Sequence, residues 1–170
     1  IELGVILMHD FGPRTYLEAI SKDNATKLYE DAANTLICIQ KKIDTKKMYH
    51  YDENKLHEEM NLFIDWYLIK YKNIALTKTD MSTLEQFFKF IAKKVSFQPQ
   101  VFVHRDFHSR NLMFLTDTKL NPGILDFQDA LIGPITYDMV SLLKDAYVEW
   151  DEEFIIDQCV RYWQKAKKEN

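Results

Sequence analysis

Glycine is scarce in this 170-residue chain, and its four glycines, Gly4, Gly12, Gly123 and Gly133, each stand alone. A phosphate-cradling loop built on clustered glycines is therefore excluded from these residues. Cysteine is scarcer: Cys38 and Cys159 lie in separate apolar-periodic segments with no CxxC pair. That excludes a disulfide framework and predicts reduced, buried thiols in a cytoplasmic protein. No apolar run approaches the ~18 residues needed to span a bilayer, so a soluble protein without a membrane partner is expected. Positive charge is also short. A formal net charge of −4 speaks against a general nucleic-acid binder, which needs a dense Lys/Arg surface. The small clusters Lys41-Lys42, Lys46-Lys47 and Lys165–Lys168 read as solvated helix ends and loops.

What the chain does have is apolar material, with 46% hydrophobic and 14% aromatic residues, enough for a substantial core. Residues 1–9, opening on "IELGVILM", read as one buried strand already under way, followed by a loop at residues 10–14. Because Ile1 is not Met, the piece is expected to come from a longer protein. Leu28, Ala32, Leu36, Ile39 and Ile43 recur at helical spacing, as do Met60, Phe63, Ile64, Tyr67, Leu68 and Tyr71, and both stripes are expected in the core. Ser82-Thr-Leu-Glu85 has the form of a capping box, with Leu84, Phe87, Phe88 and Ile91 behind it. From Val101 the period shortens: "VFVH", "LMFLT" and "ILDF" read as short strands, the last two joined through a turn at Asn121-Pro-Gly123. Helix resumes through Met139, Leu142, Leu143 and Ala146, and a last helix opens on Asp151-Glu152-Glu153. The expected fold class is α+β, mainly α, with a small inserted β element.

The chemistry gathers on that element. "VFVHRDFHSRNLM" places Asp106 just past a strand and Asn111 shortly after it, and Asp126 follows at the end of the hairpin's return strand. Phosphoryl transfer to a hydroxyl needs a carboxylate to orient the acceptor and take its proton, and oxygen ligands for the Mg²⁺ that bridges nucleotide phosphates. Asp106 suits the first task. Asn111 and Asp126 suit the second, as hard donors for a hard cation. His104 and His108 raise a zinc alternative, but their spacing joins two imidazoles only on a helix, and "VFVH" reads as strand. Arg105 and Arg110 flank the loop and suit either a phosphate or nearby carboxylates. Asp129 reads equally as a supporting residue or a turn residue.

The pattern H-x-D-x-x-x-x-N followed by I-L-D-F resembles the aminoglycoside phosphotransferase family, within the protein-kinase-like fold. "QPQVFVHRDFHSRNLM", "PGILDFQDALIGPITYDMVSLLKDAYVEWDEE" and "NLFIDWYL" resemble in particular its bacterial anomeric amino-sugar kinases, which act on N-acetylmuramate and N-acetylglucosamine. The resemblance implies that Asp106 is the catalytic base and that Asn111 and Asp126 bind Mg²⁺. His104 packs under the metal carboxylate, and Asp138 braces the loop through backbone N–H groups. It makes residues 1–13 the last N-lobe strand and hinge, and residues 14–170 a helical C-terminal catalytic lobe with the catalytic loop and hairpin at 101–129. His9, Asp10, Phe11 and Gly12 then form the ATP-pairing hinge, so the Asp-Phe-Gly at 10–12 is a decoy and the Asp-Phe at 126–127 holds the metal. The resemblance also places Glu59 and Trp66 on a helix near the acceptor, as candidates to bridge sugar hydroxyls and cover a pyranose face, where the residues alone read as an exposed Glu and a core Trp. Glu149, Trp150 and Asp151 share that candidacy.

The expected function is ATP- and Mg²⁺-dependent phosphorylation of a small-molecule hydroxyl, foremost the anomeric hydroxyl of an amino sugar in cell-wall recycling. Aminoglycoside, choline or homoserine acceptors are alternatives within the fold. A metal-dependent hydrolase using His104, Asp106, His108 and Asp126 is an alternative outside it, and a non-catalytic helical binding module is another. With no glycine-rich loop and no lysine before Lys22, this piece alone is expected to be inactive.

Overall fold

The computed structural model describes Gly4 and residues 9–117 and 119–169. The buried strand expected at residues 1–9 therefore lies outside the described residues except for Gly4 and His9, which are exposed and belong to no strand. In chain order the elements are α1 (Tyr16–Ala19), α2 (Ala25–Lys42), α3 (Glu53–Leu62), a π-helical continuation (Phe63–Tyr71) and α4 (Lys78–Ser96). Four short strands follow, β1 (Gln100–Val103), β2 (Leu112–Met113), β3 (Gly123–Ile124) and β4 (Leu131–Pro134), then α5 (Tyr137–Leu143) and α6 (Glu152–Glu169). The chain forms two compact units. One comprises residues 1–42, 104–129 and 138–170, and the other residues 43–103 and 130–137.

In the first unit, α2 buries Leu28, Tyr29, Ala32, Ala33 and Leu36 along one face, as its helical spacing predicts. That face meets α6, which buries Tyr162 and Ala166. Tyr29 is fully buried, with Trp150 and Phe154 edge-on to its ring at 5.9 and 5.3 Å between centroids. The helix stops at Lys42, so Ile43, expected on the same stripe, is 40% exposed. Both cysteines are exposed. Their apolar-periodic settings suggested burial, but each sits one position off its helix's inward face. The hairpin of β2 and β3 pairs Leu112 with Ile124 and Met113 with Gly123. Its connecting loop is pinned by Asn121, a buried amide that donates to Tyr16 Oη at 2.9 Å and Asp31 Oδ2 at 3.2 Å. The same side chain accepts the Leu115 N–H at 3.0 Å.

In the second unit, β1 and β4 pair antiparallel with Val103 opposite Leu131. Tyr51, Leu56, Ala92, Val103 and Leu131 form its core. No strand was expected at Leu131–Pro134, because Gly133-Pro134 reads as a breaker. Pro134 is tolerated as the terminal residue of the pair. Helix α4 starts before the expected box at Ser82. Thr77 caps it, its hydroxyl accepting the Asp80 N–H at 3.2 Å while the Asp80 carboxylate accepts the Thr77 N–H at 2.9 Å. Asp80 thus plays the part usually given to Glu or Gln.

The aromatic stripe after α3 is a correction. Phe63, Tyr67 and Tyr71 are 45, 44 and 71% exposed. The backbone there is π-helical, as the Lys72 N–H to Tyr67 carbonyl bond of 2.9 Å shows. The wider turn stacks residues four apart on the outer face, with ring centroids 5.2 Å apart for Phe63–Tyr67 and 5.8 Å for Tyr67–Tyr71. Ile64 is the buried residue of the segment.

Candidate active site

The loop from His104 to Asn111 follows β1, and its conformation is set by backbone bonds to buried side chains. The Asp138 carboxylate, fully buried at the start of α5, accepts the His104 N–H at 2.7 Å and the Arg105 N–H at 3.0 Å. Between these donors the chain makes a sharp reversal. Arg105 has φ of 78°, a left-handed value that costs a residue other than glycine and is held here by the surrounding bonds. Burial pushes the Asp138 carboxyl up to about 7, against the two N–H donors that favour its charge, and the Asp106 charge adds to the rise. His104 is buried edge-on to Phe107, with centroids 5.9 Å apart. Burial holds its imidazole below the usual histidine range, against the Leu125 carbonyl and the charges of Asp106 and Asp126.

Asn111 closes the loop. Its Nδ2 donates to the Asp106 carbonyl at 3.0 Å, and its own carbonyl accepts the Leu125 N–H at 2.9 Å. The residue therefore links the backbone carrying Asp106 to the strand that leads into Asp126. Asp126 has φ of 66° and is exposed. Aspartate tolerates this left-handed turn better than most residues, and the turn ends the return strand on a presented carboxylate. Gln128 Nε2 donates to its Oδ1 at 2.7 Å. Asp129 is exposed beside it.

These donors fit Mg²⁺. The Asn111 amide spends its NH₂ group on Asp106, which turns its oxygen into the available donor. Asp126 engages one oxygen with Gln128 and keeps the other. A sparse pair of oxygen ligands suits an ion that retains waters and takes phosphate oxygens. Among the described residues no group of three or more His, Cys, Asp or Glu side chains is placed to hold a metal ion. His104, Asp106, His108 and Asp126 are thus not gathered as the hydrolytic reading requires.

His9, Asp10, Phe11 and Gly12 form a tight turn at the edge of the same unit. Asp10 Oδ1 accepts the Gly12 N–H at 2.7 Å, with Gly12 at φ of 79°. The Phe11 ring lies on Gly123, where an added Cβ would meet its Cγ at 2.7 Å. The hairpin and this turn are therefore in direct contact, and a cavity of about 450 Å³ opens between residues 9–14 and residues 114–117 and 120. Glu59 and Trp66 belong to the other unit. Glu59 accepts a hydrogen bond from Tyr51 Oη, and Trp66 is exposed with Lys70 Nζ 3.5 Å above its ring. Trp150 donates to Tyr29 Oη at 2.7 Å, and Asp151 caps α6 through the Phe154 N–H at 2.8 Å.

Two residues outside the expected set also hold the loop. Asp145 Oδ2 accepts the Ser109 N–H at 2.9 Å, and the Tyr147 ring lies 5.0 Å from the Arg110 guanidinium. A lone "DAY" after a helix carries no sequence signal for such contacts, since one partner is a backbone amide.

A helical lobe that carries an Asp–Asn loop and a carboxylate-bearing hairpin has the architecture of the C-terminal lobe of a protein-kinase-like phosphotransferase. The fold matches an ADP-bound aminoglycoside phosphotransferase with a TM-score of 0.58 and 21% identity, over 90% of this chain and 53% of that one. A second aminoglycoside phosphotransferase, in a ternary complex with streptomycin and ATP, matches with a TM-score of 0.59 and 21% identity, over 92% and 54%. The chain belongs to the phosphotransferase enzyme family, whose model matches residues 1–168. It is 41% identical over 166 residues to the N-acetylmuramate/N-acetylglucosamine kinase of Pseudomonas aeruginosa, covering 98% of this chain and 48% of that protein. It is 39% identical over 170 residues to the kinase of the same name from Neisseria meningitidis serogroup B, covering 98% and 50%. The chain thus spans about half the length of the curated relatives it matches.

Proposed function

We propose that this chain is the catalytic lobe of an ATP- and Mg²⁺-dependent phosphotransferase acting on a small-molecule hydroxyl. The observation that carries the reading is the double tether through Asn111, to the Asp106 carbonyl at 3.0 Å and from the Leu125 N–H at 2.9 Å. One residue thereby holds the candidate base and both candidate metal ligands to a common frame. Asp106 orients the acceptor hydroxyl and takes its proton. Asn111 and Asp126 hold Mg²⁺, which when bound neutralises charge on the nucleotide phosphates. The backbone of His9–Gly12 serves as the hinge that pairs with adenine. Catalysis is then chiefly positioning and electrostatics.

The acceptor is the anomeric hydroxyl of an amino sugar, N-acetylmuramate or N-acetylglucosamine. The support is the similarity to kinases bearing those names. Glu59 and Trp66 are the side chains proposed to meet it. The setting is cell-wall recycling in the cytoplasm. Among the described residues no helix is long and apolar enough to cross a membrane. Aminoglycosides, choline and homoserine are acceptors of sibling enzymes that the loop alone does not distinguish, because it faces only the reacting oxygen and the phosphate.

In the full-length protein, Asp106→Ala is expected to lower kcat about 10²–10⁴-fold, the usual worth of a positioned base, with circular dichroism unchanged. Asp126→Asn is expected to raise the Mg²⁺ concentration needed for half-maximal rate. Near-normal rates in both variants would end this reading. ADP release across a panel of sugars and amino alcohols identifies the acceptor.

A further inference from the structure

Ser109 lies between Asp106 and Asn111, and both of its backbone groups are engaged. Its N–H donates to Asp145 Oδ2 at 2.9 Å, and its carbonyl accepts the Leu17 N–H at 3.0 Å. The second Asp145 oxygen accepts the Tyr147 N–H at 3.0 Å, which fixes the carboxylate's rotation. Tyr147 then lays its ring against both neighbours of Ser109. It is edge-on to His108 at 5.7 Å between centroids, and its ring centroid is 5.0 Å from the Arg110 guanidinium carbon. Three consecutive residues of the loop are thus gripped by two residues just beyond α5.

We infer that Asp145 and Tyr147 are positioning residues that fix the middle of the catalytic loop and so set the separation of Asp106 from Asn111. Asp138 anchors only the loop's first two amides. The Leu17 N–H holds the Ser109 carbonyl, and Asp145 and Tyr147 supply the side-chain half of the grip on the span between Asp106 and Asn111. A charge-assisted bond to a backbone N–H is about twice as strong as a neutral one, and a misplacement of about 1 Å at a reacting centre costs about 10²-fold in rate. The inference rests on the phosphotransfer reading of the loop.

The test uses the full-length protein and two kinds of variant. Asp145→Asn keeps the size of the side chain but turns an amino group toward one of the two N–H donors. It is expected to lower kcat about ten- to a hundredfold while leaving KM for ATP and acceptor within about twofold. Amide exchange at Ser109 should quicken, with the other helices unchanged. Tyr147→Ala should lower kcat in the same way, and Tyr147→Phe should restore it, because the ring rather than the hydroxyl makes both contacts. If Asp145→Asn does not fold, the Tyr147 pair carries the test. Unchanged exchange across residues 108–110, or a loss confined to KM, overturns the inference. A full-length protein with no phosphotransfer would sink the proposed function instead, and the exchange measurement would still judge the clamp.

Discussion

At the scale of single residues, Asp138 shows how one buried carboxyl serves two ends. Its oxygens satisfy the two backbone donors that shape the turn at Arg105, yet burial makes its charge expensive. The folded carboxyl keeps its proton up to about 7, whereas the ordinary value is 3.8. Between those values the folded state binds more protons than the unfolded state, so this group's contribution to stability falls as pH rises and levels off above about 7. Urea midpoints measured across that range should show the decline. The decline should be shallower in Asp138→Asn, whose neutral amide does not titrate. That variant should also be less stable at low pH by about 1–3 kcal/mol, because its NH₂ group faces a buried N–H left without an acceptor. Asp106, Asn111 and Asp126 stand out as candidates in the sequence because a short loop and a hairpin fix their spacing. Asp145 was not, because its partner is a main-chain amide and any residue type presents one.

At the scale of elements, the hairpin and the turn at His9–Gly12 meet through Phe11 on Gly123. A methyl group at Gly123 would overlap the Phe11 ring. Gly123→Ala is therefore expected to displace that ring and raise KM for ATP several-fold, with a smaller effect on KM for the acceptor. Steady-state kinetics with each substrate varied in turn separates the two. Thr77→Ala removes the reciprocal cap of α4 and should lower stability by about 1 kcal/mol, read as a shift in the urea midpoint. Periodicity gave α2, which buries one continuous face, while end charges gave α6 and turn residues gave the hairpin. It failed where a local rule was overridden. The turns from Phe63 widen and send their rings outward. Leu131–Pro134 pairs with β1 despite its glycine and proline. The cap of α4 uses Asp80 in place of a longer acid.

For the whole molecule, the family match covers residues 1–168, but this span is about half of each curated relative. Its 170 residues contain no clustered glycines. The chain alone is expected to bind ATP weakly and to release no ADP above background, while the full-length protein turns over. Calorimetric ATP titration and an ADP-release assay on both would check this, and equal rates would refute it. Elemental analysis of the full-length protein is expected to find no stoichiometric zinc.

Both carboxylates that brace the loop from His104 to Asn111 come from sequence that follows it. The donors at His104, Arg105 and Ser109 wait for acceptors 34, 33 and 36 residues further along the chain. During synthesis, which adds about 5–20 residues per second, the loop is therefore made before either carboxylate exists to receive it. A released chain ending just before Asp138 should be cut within residues 104–111 by a protease that leaves the chain through α6 intact.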